Sequence, residues 1–133
     1  MAEPRVFISQ DWPTKGEVEW AHRFADALRG LGFDVFEEWS PAANPSQESI
    51  ERALRESDLI VLLISTRSAR SPSFLFEYGV ALGGDKEIIA VIPSNMDPEL
   101  LPIRPLRERR VTKSSPERTA AAVAARLREL RVA

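Results

Sequence analysis

The sequence predicts a single doubly wound α/β domain built on a five-stranded parallel sheet, and three observations lead to it. Runs of strand formers alternate about five times with amphipathic helical segments, and each crossover is long enough for the right-handed connection that parallel strands need. The central run, Leu59-Ile60-Val61-Leu62-Leu63-Ile64, is apolar without alternation, as in a strand covered on both faces. The chain has 133 residues, 44% of them hydrophobic, which suffices for one buried core, and no internal repeat, low-complexity block or linker divides it. The domain is expected to span residues 1–133.

Each element follows in order. Arg5-Val6-Phe7-Ile8-Ser9 is a run of strand formers ended by polar residues. Trp20, Phe24, Leu28 and Leu31 then recur at helical spacing, and Gly30 and Gly32 close that helix. Trp20 is expected in the core and His22, on the opposite face, at the surface. Phe33-Asp34-Val35-Phe36 begins a second strand that runs into Glu37, Glu38 and Trp39. After a loop from Ser40 to Ala43, Asn44-Pro45-Ser46-Gln47 offers an N-cap, a first-turn proline and a glutamine three residues after the cap. A helix is therefore expected from there to near Ser57, turning Ile50, Ala53 and Leu54 inward. The central strand comes next. Ser71-Pro72 repeats the cap-plus-proline signal and opens a helix through Leu82 that Gly83-Gly84 end. Glu87 to Ile92 supplies a fourth strand, and Pro93, Pro98, Pro102 and Pro105 suit an irregular loop. Arg110-Val111-Thr112 can form a short fifth strand at an edge, and Ser115-Pro116 opens a last helix with Val123, Leu127 and Leu130 on one face. The order is that of a flavodoxin-like sheet with helices on both faces, in which ligands lie beyond the carboxyl ends of the strands. Function is therefore sought in the segments after Ser9, Glu37, Ser65 and Ile92.

Composition narrows the chemistry. With no cysteine and a single histidine, a disulfide scaffold, a cysteine-liganded zinc and a cysteine nucleophile are excluded, and no metal site is expected. No apolar run approaches the ~18 to 20 residues of a membrane span, and Met1 to Arg5 has no signal-peptide character, so a cytoplasmic location without a membrane partner is expected. The formal net charge of −2 gives no global attraction to nucleic acid, yet its distribution is uneven. Residues 1–100 hold 9 basic and 17 acidic side chains, a balance of −8, whereas residues 101–133 hold 9 basic and 3 acidic, a balance of +6. No aromatic residue interleaves the basic stretch to stack on bases, so it reads as a solvated helix with its preceding loop and nucleic acid is not an expected partner. Opposite poles would also help copies of the domain pack head to tail.

Glu77 is the most informative residue. It lies within Phe74-Leu75-Phe76-Glu77-Tyr78-Gly79-Val80-Ala81-Leu82, a segment apolar nearly all round, where burying a carboxylate costs several kcal/mol unless it is paired or neutralised. It is either a site residue or the partner of Arg67 or Arg70. Ser71 reads as an N-cap whose helix start also presents free N–H groups to a phosphate or hydroxyl. Trp12 and Trp39 follow the first and second strands on one edge of the sheet, as lids over the core or as flat apolar walls for a ligand ring.

Together these segments resemble the TIR (Toll/interleukin-1 receptor) domain family, particularly its bacterial branch, over residues 5 to about 131. Val6-Phe7-Ile8-Ser9 resembles the family's opening strand, Gly32-Phe33-Asp34-Val35-Phe36 its second, and Ser57-Asp58-Leu59-Ile60-Val61-Leu62-Leu63-Ile64-Ser65 its third with the closing serine. Ser71-Pro72 followed by Glu77 matches its serine-then-glutamate spacing, and Gly79, Ala81 and Lys86 fit the bacterial continuation. Departures are Ser73 for a tryptophan, Glu38 for an aspartate, Gln10 for an aromatic and Ala42-Ala43-Asn44-Pro45 where a glycine is usual.

The resemblance implies cleavage of the nicotinamide–ribose bond of NAD+, with NAD+ as substrate and no cofactor or metal. Glu77 matches the family's catalytic glutamate, and Ser9, Gln10, Trp12, Trp39 and Ser71 are the implied substrate contacts. It also implies activation by head-to-tail association with other TIR domains through the loop from Glu38 to Asn44, in bacterial immune defence. Two other readings stand beside it: a non-catalytic TIR interaction module, and a nucleoside or nucleotide glycosidase or deoxyribosyltransferase on a similar fold.

Overall fold

The structure, a computed structural model, describes residues 3–10, 13–39, 46–65, 84, 86–101 and 104–132. Five parallel strands form one sheet: β1 (Arg5–Gln10), β2 (Asp34–Glu37), β3 (Leu59–Leu63), β4 (Glu87–Ile92) and β5 (Arg110–Thr112), in the order β2-β1-β3-β4-β5. Register runs without a break through the centre, Phe7 standing opposite Phe36 and Ile60, and Ile60 opposite Ile88. Between β1 and β3 the strand order reverses direction. This is the switch point at which an open sheet leaves a crevice beyond its carboxyl ends.

Four helices accompany the strands among the described residues: α1 (Lys15–Gly30), α2 (Gln47–Glu56), α3 (Arg104–Glu108) and α4 (Pro116–Val132). One face of the sheet packs Val6, Ile8, Val61 and Val91 against Phe24 and Leu28 of α1 and Val123 and Leu127 of α4. The other packs Phe7, Ile60, Leu62 and Ile92 against Leu54 of α2, Leu101 and Leu106. Apolar layers on both sides account for the uninterrupted apolar run of β3, every residue of which is buried.

The start of α1 is secured by a capping box. Thr14 Oγ1 accepts from Glu17 N at 3.1 Å while the Glu17 carboxylate accepts from Thr14 N at 2.8 Å.

Four details of the sequence reading are corrected. Leu31 does not face inward: it caps the C-terminus of α1 and is 53% exposed, because Gly32, at φ 95°, turns the chain away. Helix α2 starts at Gln47 with Ser46 as its cap, accepting from Ser49 N at 3.1 Å, and not at Asn44. The proline-studded stretch is not irregular throughout: it holds a 3-10 turn at Pro98–Leu100 and the short helix α3, which bring Leu101 and Leu106 into the core. Trp20 is only partly buried. It stacks on Phe24 at 5.3 Å between ring centroids, donates from Nε1 to Ser114 O at 3.3 Å, and carries the Lys113 ammonium over its ring. The helix expected from Ser71 to Leu82 and the loop from Ser40 to Ala43 lie outside the described residues.

Candidate functional site

Alternation along β1 places Ser9 on the same sheet face as Phe7, while its position next to the last residue of the strand brings it to the carboxyl edge. There the two strands are tied together by polar contacts beyond their ladder. Glu38 follows β2 and donates its backbone N–H to Ile8 O at 3.2 Å, prolonging the pairing by one residue. Its carboxylate Oε2 accepts from Ser9 Oγ at 3.1 Å and from Gln10 N at 3.3 Å. Trp39 Nε1 donates to Gln10 O at 2.9 Å, and the Gln10 side-chain amide donates to Glu17 O in α1 at 3.4 Å. A hydroxyl, an amide, a carboxylate and an indole thus converge beside the switch point. Ser9 is buried, whereas Gln10, Glu38 and Trp39 are half-buried. Such a set pairs an apolar wall with a few fixed polar groups, the usual composition of a small-molecule site.

Of the sequence-derived site residues, Ser9, Gln10 and Trp39 are therefore brought together. Trp12, Ser71 and Glu77 lie outside the described residues. Glu38 belongs with the first three, although the sequence pointed to it only as a replacement for a family aspartate and as part of an association loop. Its signal was positional, an acid next to the end of a strand that reaches the ligand edge.

Beneath this group is a second one, which the sequence did not suggest. Glu37, the last residue of β2, is buried with its side chain only 7% exposed. His22 Nδ1 lies 3.1 Å from both its carboxylate oxygens, and Arg29 Nη2 donates to Oε2 at 3.1 Å. Arg29 also donates to Val35 O at 3.0 Å and to Asp26 Oδ1 at 2.8 Å, and His22 Nε2 stands 3.6 Å from Asp26 Oδ2. His22 is thus engaged with a buried acid, which corrects its reading as a plain surface residue; helical periodicity shows which face a side chain occupies but not which strand end passes beside it.

The opposite edge of the sheet offers a poorer site. A recess there, lined by Val6, Val35, Phe36 and Ala53, is bordered by Arg5, which pairs with Asp34 at 3.6 Å and Glu56 at 2.9 Å. It lies at the amino ends of the strands, away from the crevice that the topology opens. Among the described residues no group of three or more His, Cys, Asp or Glu could hold a metal ion, and no helix is long and apolar enough to cross a membrane.

Known proteins agree with this architecture. A metazoan TIR-STING receptor from C. gigas, solved in complex with 2',3'-cGAMP, superposes with a TM-score of 0.63 at 16% identity, over 92% of this chain and 38% of that one. The chain thus spans less than half the length of that receptor. The TIR domains of the Roq1 resistosome, which recognises the pathogen effector XopQ, superpose with a TM-score of 0.51 at 19% identity, over 96% of this chain and 72% of that one. A diflavin flavoprotein from Nostoc sp. gives 0.52 at 12% identity, over 97% and 99% of the two chains, so at this level similarity establishes the fold alone. No curated protein sequence matches significantly. The family comes instead from the TIR domain sequence model, which matches residues 6–128 of the 133. Nearly the whole chain is covered by that match, and the protein belongs to the TIR domain family.

Proposed function

We propose that this TIR domain cleaves the nicotinamide–ribose bond of NAD+ in the cytoplasm as part of immune signalling, with the carboxylate of Glu77 as the catalytic group. The observation that carries the reading is the convergence of Ser9, Gln10, Glu38 and Trp39 at the carboxyl edge of β1 and β2, in a chain whose sequence supplies the family's Ser71-then-Glu77 spacing.

The chemistry asks little beyond a placed anion. The nicotinamide ring of NAD+ is a pyridinium, so breaking the bond to C1 of the ribose returns the electron pair to the ring nitrogen and expels neutral nicotinamide without a general acid. Positive charge then builds on the ribose, and a preorganised carboxylate stabilises it. Water adding at C1 and losing a proton gives ADP-ribose; an internal nitrogen adding instead gives a cyclic product. In this reading Trp39 and Trp12 form apolar walls for the nicotinamide or adenine ring, Gln10 and Ser71 hold hydroxyl or phosphate oxygens, and Ser9, whose proton goes to Glu38, accepts from a ribose hydroxyl. Glu38 orients Ser9 through the contact described above.

Incubating concentrated protein with NAD+ and resolving the products by chromatography tests the proposal. One nicotinamide is expected for each NAD+ consumed, with ADP-ribose or its cyclic isomer as the second product. No release of nicotinamide, even from protein forced to associate, would leave a non-catalytic interaction module as the better reading.

A further inference from the structure

Adjacent residues of an extended chain point to opposite faces. At the end of β2 this puts Glu37 under α1 and sends Glu38 across to Ser9 and Gln10. Strand β2 has only four residues and, among the described residues, pairs with β1 alone, so side-chain ties set its carboxyl end together with the ladder. On the β1 side these ties come from Glu38 and Trp39, and on the α1 side from the carboxylate of Glu37, held by a guanidinium and an imidazole two turns apart in α1 at 3.1 Å each.

We propose that Glu37 is a positioning residue: gripped by Arg29 and His22, it fixes the end of β2 so that Glu38 and Trp39 meet β1, and the protonation of His22 tunes that grip. The site positioned is the one assigned to NAD+, and the proposal rests on that reading only in its kinetic arm. Among the described residues, the groups facing His22 are Glu37 from β2 and Asp26 and Arg29 from its own helix; α4 meets α1 along another line, where Glu117 pairs with Arg23. Two carboxylates, one guanidinium and one imidazole carry a net charge of −1 when the ring is neutral and zero when it is protonated. The proton turns the contact with Glu37 into a charge-assisted hydrogen bond on both partners.

His22 is the one histidine of the chain, so its ring resonances need no assignment, and the indole resonance of Trp39 is identified by its loss in Trp39→Phe. In a pH titration followed by NMR, the Trp39 indole signal is expected to move with the same midpoint as the His22 ring. In Glu37→Gln the ring should still titrate while the Trp39 signal stays still. His22→Gln keeps an amide donor on a side chain that is 40% exposed, so it preserves the fold if Glu37→Gln does not, and it too should abolish the movement. A Trp39 signal that ignores the titration of His22 in the unmodified protein, or moves undiminished in the variants, would overturn the proposal.

The kinetic arm reads a different quantity. For NAD+ turnover, Glu37→Gln should raise KM by about tenfold with kcat changed much less, the pattern for lost ground-state positioning. A fall in kcat at unchanged KM would contradict it. If the unmodified protein releases no nicotinamide, the NAD+ reading fails, while the indole titration still decides whether Glu37 positions Trp39.

Discussion

The carboxylate of Glu38 takes two donors from β1, and the more telling of them is the hydroxyl of Ser9, which is only 4% exposed. A hydrogen bond to an ionised acceptor is worth about 1.5–3 kcal/mol, more than a neutral pair, because the acceptor carries a full negative charge. Ser9→Ala is therefore expected to lower stability by about 2 kcal/mol, read as a shift in denaturant midpoint at unchanged slope, and to slow NAD+ cleavage at the same time. A loss of stability without any effect on turnover would make Ser9 a strand-to-strand tie and nothing more. That Ser9, Gln10 and Trp39 lie at one edge of the sheet was legible in the sequence, because strand ends locate the ligand edge of a doubly wound sheet. The grip of His22 and Arg29 on Glu37 was not, since it joins residues 15 and 8 positions apart whose meeting depends on how α1 lies across β2.

At the scale of elements, strands were the easier part. Glu87–Ile92 and Arg110–Thr112 are found where β-branched and apolar runs between breakers put them. Helix ends were harder. Asn44-Pro45 and Ser46-Gln47 carry overlapping signals, and the Ser46 side chain, bonded to Ser49 N, is the one that caps. Between Pro93 and Pro105 proline density concealed two short helical pieces, because proline is welcome in a first turn as well as in a loop, and Pro98 opens the 3-10 turn. Burial of Leu106, 1% exposed, against exposure of Leu31 gives the contrast a measurable form. Leu106→Ala should cost about 2–5 kcal/mol and Leu31→Ala less than about 0.5 kcal/mol, measured by thermal or denaturant unfolding. Equal costs would mean that α3 does not pack as described.

Both edges of the sheet are blunted by arginines from helices on the same face. Arg29 of α1 donates to Val35 O on the outer side of β2, and Arg126 of α4 reaches Arg110 O on the outer side of β5 at 3.5 Å. Covered carbonyls discourage other strands from adding to the sheet, so copies of this domain are expected to associate through loops and charged surfaces. The acidic balance of residues 1–100 and the basic balance of residues 101–133 favour a heterologous contact, which propagates instead of closing as a dimer. Specific activity should accordingly rise steeply with protein concentration or on fusion to an oligomerising partner, and should fall with added salt, which screens exposed charges beyond ~10 Å. A specific activity flat from dilute to associated protein would show that each copy carries a complete site. The central claim, that a TIR domain with this edge cleaves NAD+ through Glu77, is tested most directly by nicotinamide release from Glu77→Gln beside the unmodified protein, both associated and matched in melting temperature. A reduction of at least ~100-fold is predicted for loss of a preorganised charge from an isosteric side chain. Undiminished release from Glu77→Gln would contradict the claim outright.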